Sequence, residues 1–300
     1  MRTTPMGASG LVVPVQGLGC MRMIGSRESE AFAVINRALD LGVTMLDTAD
    51  MYGNGRNEEL VGRAVQSRQE EVILCTKFGV IRGADNTLSY RNDAAYVRAA
   101  CHASLRRLGT DVIDLYYLHH RDVRIPIEET VGAMAELVAA GKVRHIGLSD
   151  PTGDELRAAH LIHPITAVQS EWSLCSRRFE AMVPLCVALG VGVVPYCPQG
   201  AGLLTSGLDA ARSRLASIAP DYVKLPDLLE DVARRHGAQP GQIALAWVQQ
   251  RAEVWDIPVS PIPGTTRLPH LEENVAAIDI KLGAEQLAQL DIHVVRGDIG

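Results

Sequence analysis

No apolar run in the sequence is long enough to cross a bilayer. The greasiest stretch, Val183 to Pro195, is broken by Pro184, Gly190 and Gly192 and falls short of the roughly 20 residues a spanning helix needs. Met1 to Gly10 lacks the charged-then-apolar order of a secretory leader, so the chain is expected to be soluble and unprocessed. No Lys/Arg-rich block occurs and the net charge is -6, which leaves no basic footprint for nucleic acid or for a membrane surface.

The six cysteines, Cys20, Cys75, Cys101, Cys175, Cys186 and Cys197, include no C-x-x-C pair. Several lie inside apolar runs where a thiol packs as a small hydrophobe, which argues for a reducing, cytoplasmic setting. His119 and His120 have no Cys/Asp cluster at ligand spacing beside them, so no metal site is expected. Nucleotide-binding turns are missing as well. Gly53-Asn54-Gly55 and Gly190-Val191-Gly192 each begin a G-x-G without the third glycine, and no G-x-x-x-x-G-K-S/T occurs, which excludes a Rossmann turn and a P-loop. No linker or shift of composition divides the chain, and residues 1–300 read as one domain.

What the chain does contain is an alternation. With 47% hydrophobic residues over 300 positions it can bury a large core. Residues 11–21 read as a hairpin or plug followed by a first strand near Leu18 to Met21. Helical spacing then covers Glu28 to Leu41, Glu58 to Val65, Asp93 to Leu108, Ile127 to Ala140, Thr152 to His160 and Glu180 to Leu189. Between them lie apolar runs at Thr44 to Asp47, Val72 to Lys77, Val112 to His119, Val143 to Ser149, Ala167 to Gln169 and Val191 to Tyr196. A Gly-, Ser- and Pro-containing segment, Gly200 to Leu225, predicts a loop over one face. Helices follow at Pro226 to His236 and Gly241 to Arg251, an eighth strand at Pro258 to Ile262, and helices at Leu268 to Ala276 and Ala284 to Val294. Eight strand–helix units whose strands are apolar rather than alternating predict an α/β fold with a parallel sheet closed as a (β/α)8 TIM barrel.

The strand runs end in polar residues that an ordinary core would reject: Asp47, Lys77, His119, Ser149 with Asp150, Gln169, Tyr196 with Gln199, and Gly264 to Arg267. In a parallel barrel these C-terminal ends meet at one mouth, so the scattered residues become one site. The stretch from Met45 to Leu60 places Asp47 at a strand end, Tyr52 on a Gly-rich turn, and a helix start at Asn57-Glu58-Glu59.

This stretch resembles the signature of the aldo-keto reductases. The likeness extends to the strands ending in Lys77 and His119, to Gly147-Leu148-Ser149, to Val168 through Leu174, to Gly192 through Tyr196, and to Ile262-Pro263-Gly264-Thr265 with Glu272-Glu273-Asn274. It covers essentially the whole chain and looks most like the bacterial and plant branch that reduces aldehydes and ketones with NADPH. The resemblance implies a catalytic set of Tyr52, Asp47, Lys77 and His119. Tyr52 would be the general acid, with Lys77 favouring its phenolate and Asp47 fixing Lys77. His119 would donate to the substrate oxygen.

The same resemblance implies that NADPH is held by Ser149, Asp150, Gln169, Tyr196, Cys197, Gln199, Gly200, Gly202, Gly264, Thr265, Arg267, Glu273 and Asn274. The nicotinamide would stack on Tyr196. Four positions depart from the commoner pattern: Asp150 for Asn, Cys197 for Ser, Gln199 for Leu and Thr266 for Lys. Met21, Met23, Trp172 and the segment after Gly202 are candidates for the wall of an aldehyde or ketone pocket, and Trp172 reads equally as core. A second reading is a cofactor-binding redox sensor or regulatory subunit with slow turnover, similar to the potassium-channel β subunits, though no membrane-proximal basic cluster supports it.

Overall fold

A computed structural model describes residues 1–292 apart from 26, 84, 206–209, 211–212 and 214–223. The chain opens with an antiparallel hairpin of β1 (Thr3–Pro5) and β2 (Val12–Pro14). Its turn is pressed onto the sheet. Met6 is fully buried, the Ala8 N–H donates to Gly190 O at 2.8 Å, and a Cβ on Gly7 would lie 2.3 Å from Gly190 O. The hairpin therefore plugs the end of the barrel where the strands begin.

Seven parallel strands follow in one sheet. They are β3 (Leu18–Gly19), β4 (Met45–Asp47), β5 (Ile73–Phe78), β8 (Ile113–Leu118), β9 (Val143–Ser149), β10 (Ala167–Glu171) and β11 (Gly192–Tyr196), neighbours in that order. The two missing numbers belong to a hairpin, β6 (Val80–Arg82) with β7 (Leu88–Tyr90), that leaves the top of β5. Sequence periodicity gave no sign of it, because Ile81, Leu88 and Tyr90 stand exposed and no buried face patterns the run.

The expected eighth strand closes the barrel without a regular ladder. Ser260 N–H donates to Val193 O and Ile262 N–H to Pro195 O, both at 3.0 Å, while Val193 N–H reaches Pro258 O at 2.9 Å. On the other side Gly17 and Gly19 donate to Pro261 O and Pro263 O at 3.0 and 3.3 Å. Pro261 and Pro263 have no N–H to return to β3, so that seam is reduced to a single bridge, Gly19 with Gly264. The seam is also tight: a Cβ on Gly19 would sit 2.8 Å from Ile262 O, and one on Gly264 2.9 Å from Gly19 O. Bare backbone is what lets the barrel shut.

Helices α1 (Glu28–Asp40), α2 (Arg56–Val65), α3 (Ala94–Leu108), α4 (Ile127–Ala139), α5 (Gly153–Ile162) and α6 (Val183–Leu189) link the strands. After β11 come α7 (Leu225–His236), α8 (Pro240–Trp255), α9 (Leu268–Ala276) and α10 (Ala284–Ile292). Local signals explain their ends. Asp93 caps α3 by accepting from Tyr96 N–H, Gly109 terminates it with φ 67, and Thr152 with Glu155 forms a capping box on α5. The expected helix Glu180 to Leu189 is split into a short 3-10 turn at Arg178–Ala181 and α6, because Pro184 has no N–H to donate and fits only a first turn. The first strand stops at Gly19, where Met21–Gly25 turns into a 3-10 helix. Most of the loop expected over Gly200 to Leu225, and residues 293–294 of the last helix, lie outside the described residues. Among the described residues no helix is long and apolar enough to cross a membrane.

Candidate active site

The mouth of the barrel is built on a buried ion pair. Asp47, the last residue of β4, is 3% exposed and Lys77, one strand over on β5, is 1% exposed. Lys77 Nζ donates to Asp47 Oδ1 at 2.5 Å, to Thr48 O at 2.8 Å and to the Tyr52 hydroxyl at 3.5 Å. All three ammonium protons thus have acceptors. Burial works against the charge on Lys77, but Asp47 and Tyr52 outweigh it and its pKa lies above the ordinary lysine value. Gln169 on β10 donates its amide N–H to the second Asp47 oxygen at 2.9 Å.

Tyr52 follows β4 on a turn whose Gly53, Asn54 and Gly55 all have positive φ, which explains the composition of that loop. Its ring lies 5.2 Å beneath Lys77 Nζ and 5.9 Å from His119, edge to face. The pKa of Tyr52 is raised, because burial outweighs the lowering effect of Lys77. The phenol is therefore the resting form. His119, just beyond β8, is held neutral: burial first, then Lys77 and His120, drive its pKa down to about 2. Its Nδ1 is buried and has no hydrogen-bond partner among the described residues.

A second polar layer lies beneath, and sequence reading assigned none of it. Glu58, fully buried in the first turn of α2, accepts from Thr76 Oγ1 and from Arg107 Nε, both at 2.6 Å. Asn57 accepts from Thr48 Oγ1 at 2.6 Å and donates to Cys20 O at 2.9 Å. The helix-start residues therefore bolt the Tyr52 loop to β3, β4 and β5. Asp50 completes the layer with one buried oxygen, Oδ1, that no described group meets. Burial, then the charge of Glu58, push its pKa up to about 7, with Arg107 offsetting part of the rise. The available signal was spacing: Asn57 falls four and eight residues before the buried Val61 and Val65, on the inward stripe of α2.

The residues assigned to a cofactor occupy the other half of the mouth. Ser149 ends β9, and Asp150 follows with φ 47, its N–H donating to Gln169 O at 3.0 Å. Tyr196 ends β11 and donates its hydroxyl proton to Asp150 Oδ2 at 2.9 Å. Cys197, Gly200, Ala201 and Gly202 all have positive φ, between 48 and 90. The turn is closed on itself, the Gly200 N–H donating to Cys197 O at 2.8 Å. Gln199 bonds Asn274 Oδ1 at 2.9 Å and Gly241 O at 3.1 Å, so these two expected binding residues brace each other and tie this turn to α8 and α9. Thr265 Oγ1 accepts from the Arg267 N–H at 3.1 Å, at the start of α9. The Arg267 side chain is exposed, with no partner among the described residues, and Glu273, further along α9, is exposed as well. The exposed guanidinium fits the extra phosphate of a phosphorylated dinucleotide.

The expected substrate wall is only partly at the mouth. Met21 is 50% exposed, but Met23 and Trp172 are fully buried in the core, Trp172 against Phe179 and bonded to Glu180 Oε1 at 3.3 Å. Ile24 takes a place at the rim, close against Gly53. The segment after Gly202 lies largely outside the described residues.

Comparison with known proteins agrees with this architecture. A solved aldo-keto reductase from Bacillus halodurans, in its holo form, superposes with a TM-score of 0.84 at 29% identity, covering 99% of this chain and 98% of that one. An aldo-keto reductase from Klebsiella pneumoniae, in complex with NADPH, gives 0.79 at 31% identity over 97% and 95% of the two chains. In sequence, a relative from Glycine max named "Probable aldo-keto reductase 1" is 40% identical over 312 residues, spanning 98% of this chain and 89% of its own length. The profile of the Aldo/keto reductase family matches residues 17–295. A (β/α)8 barrel with an Asp–Lys pair, a tyrosine and a histidine at its mouth, matched along nearly its whole length, thus belongs to the aldo/keto reductase family.

Proposed function

We propose that this chain, acting as one barrel domain in the cytoplasm, reduces the carbonyl of a small aldehyde or ketone to the alcohol with NADPH. When bound, NADPH supplies the hydride. Tyr52 supplies the proton. Its phenol is protonated at rest, and Lys77 at 3.5 Å stabilises negative charge as the proton leaves. Asp47 keeps Lys77 charged and aimed, since a lone buried ammonium would tend to lose its proton. Neutral His119 orients the substrate oxygen. With Nδ1 enclosed and lacking an acceptor, its proton is better placed on Nε2, leaving an N–H to donate.

Arg267 would pair with the 2′-phosphate, the turn from Cys197 to Gly202 with the bridging phosphates, and Tyr196 with the nicotinamide face. Six free cysteines, of which only Cys197 is not fully buried, support the reducing compartment. The observation that carries the reading is the Lys77 ammonium, charged, buried, and shared between Asp47 and Tyr52. The test is NADPH oxidation, followed by the loss of its absorbance, with an activated aldehyde such as a nitrobenzaldehyde. Turnover on the order of 1 s⁻¹ or faster is expected. Binding of NADPH with turnover orders of magnitude slower would overturn the enzyme in favour of a sensor.

A further inference from the structure

Residue 150 carries a carboxylate where the commoner pattern has a carboxamide. Asp150 sits in a left-handed conformation, φ 47, and its backbone is pinned by the 3.0 Å bond to Gln169 O. From that anchor its carboxylate accepts the Tyr196 hydroxyl proton at 2.9 Å. Glu171 adds a second carboxylate on the same side, since β10 and β11 pair Glu171 directly with Tyr196. Both charges disfavour ionisation of Tyr196, whose pKa is raised by burial first and then by Asp150. Three other ionic groups stand at the mouth. Lys77 is already neutralised by Asp47, His119 is neutral, and Arg22 lies across the turn with Nη2 donating to Ala201 O at 3.3 Å.

A phenol that donates to a carboxylate carries a more electron-rich ring than a free phenol, and a ring face of that kind attracts a cation. The nicotinamide ring is cationic in the oxidised cofactor and neutral in the reduced one. We propose that Asp150, held by the Tyr196 hydroxyl, biases the cofactor site toward the oxidised form, so that NADP⁺ binds more tightly relative to NADPH than it would beside an asparagine. The inference rests on the cofactor assignment made above. Its consequence in the reductive direction is that the oxidised cofactor is retained after turnover.

Isothermal titration of both cofactor forms to the wild type, Asp150→Asn and Tyr196→Phe tests it without catalysis. Asp150→Asn keeps an oxygen to accept from Tyr196, removes the charge and adds an N–H donor that acts on both cofactor forms, so the ratio of the two affinities isolates the charge. The ratio Kd(NADP⁺)/Kd(NADPH) should rise by about three- to tenfold, as expected for one partly screened charge. Tyr196→Phe leaves residue 150 chemically intact but releases its carboxylate, and should move the ratio the same way by a smaller factor. A ratio within about twofold of wild type in Asp150→Asn, with both forms still binding, would overturn the bias and leave the cofactor assignment standing. Failure of the wild type to bind either form would overturn the cofactor assignment itself.

Discussion

Gln169 and Asp47 are joined by a 2.9 Å hydrogen bond to the carboxylate oxygen opposite the one Lys77 holds. Both residues are buried, at 2% and 3% exposure. The sequence pattern assigned Gln169 to the cofactor alone, whereas its amide N–H fixes the plane of the carboxylate on which Lys77 depends. Gln169→Leu leaves Asp47 Oδ2 buried without a donor, which costs about 1–3 kcal/mol. The melting temperature should fall by a few degrees, and turnover should fall with it as Lys77 loses its fixed partner. Unchanged melting and unchanged turnover together would show that the bond positions nothing.

Tyr52→Phe removes the proton donor and leaves the residues around Tyr196 and Arg267 untouched. A fall in kcat on the order of 10²–10⁴-fold is expected, with NADPH affinity within about twofold of wild type. Lys77→Met should lose turnover as well, because it also strands Asp47 without its cation. If Lys77→Met reduced aldehydes at the normal rate, the assignment of Tyr52 and Lys77 as an acid and its activator would be wrong.

The barrel and half of its mouth were legible because strands buried on both faces read as apolar runs, so a polar residue ending each run stands out. Asp47, Lys77, His119, Ser149 and Tyr196 were all found that way. The eighth strand was legible by position, although Pro258, Pro261 and Pro263 deny it a regular ladder. The layer of Asp50, Glu58 and Arg107 was not legible. A glutamate in a first helical turn is the usual companion of the helix dipole, and nothing in the sequence ties it to an arginine 49 residues away. Met23 was read as pocket wall, and Trp172 as wall or core, although both lie in the core, for a related reason: apolar residues near a strand end carry no mark that separates the two.

Asp50 makes stability depend on pH. Its folded pKa, about 7, is above the ordinary 3.8, so the neutral acid is the form that folding favours. The contribution is fully present below about pH 4 and is lost as pH rises through about 7, when a charge must be held beside Glu58. Asp50→Asn has no such proton to lose. Its melting temperature relative to wild type should therefore increase between about pH 5 and pH 8, by an amount worth up to a few kcal/mol. A difference that stays flat across that range would show that Asp50 titrates in the ordinary carboxylate range.

Arg267 should carry the preference for NADPH over NADH. Thr266 occupies the place where a lysine is common, and the Arg267 guanidinium stands exposed at the start of α9 with no side-chain partner among the described residues. Its backbone is fixed independently, by the 3.1 Å bond from its N–H to Thr265 Oγ1. Truncation can therefore remove the charge without unwinding the turn. A charge-assisted hydrogen bond contributes about 1.5–3 kcal/mol, or roughly 10- to 150-fold in affinity. Arg267→Ala should weaken NADPH by that order and leave NADH nearly unchanged, and the wild-type preference should shrink as salt is raised. Titration of both cofactors to both proteins decides the matter. Equal losses for NADPH and NADH would mean that Arg267 supports the loop and that the 2′-phosphate is read elsewhere.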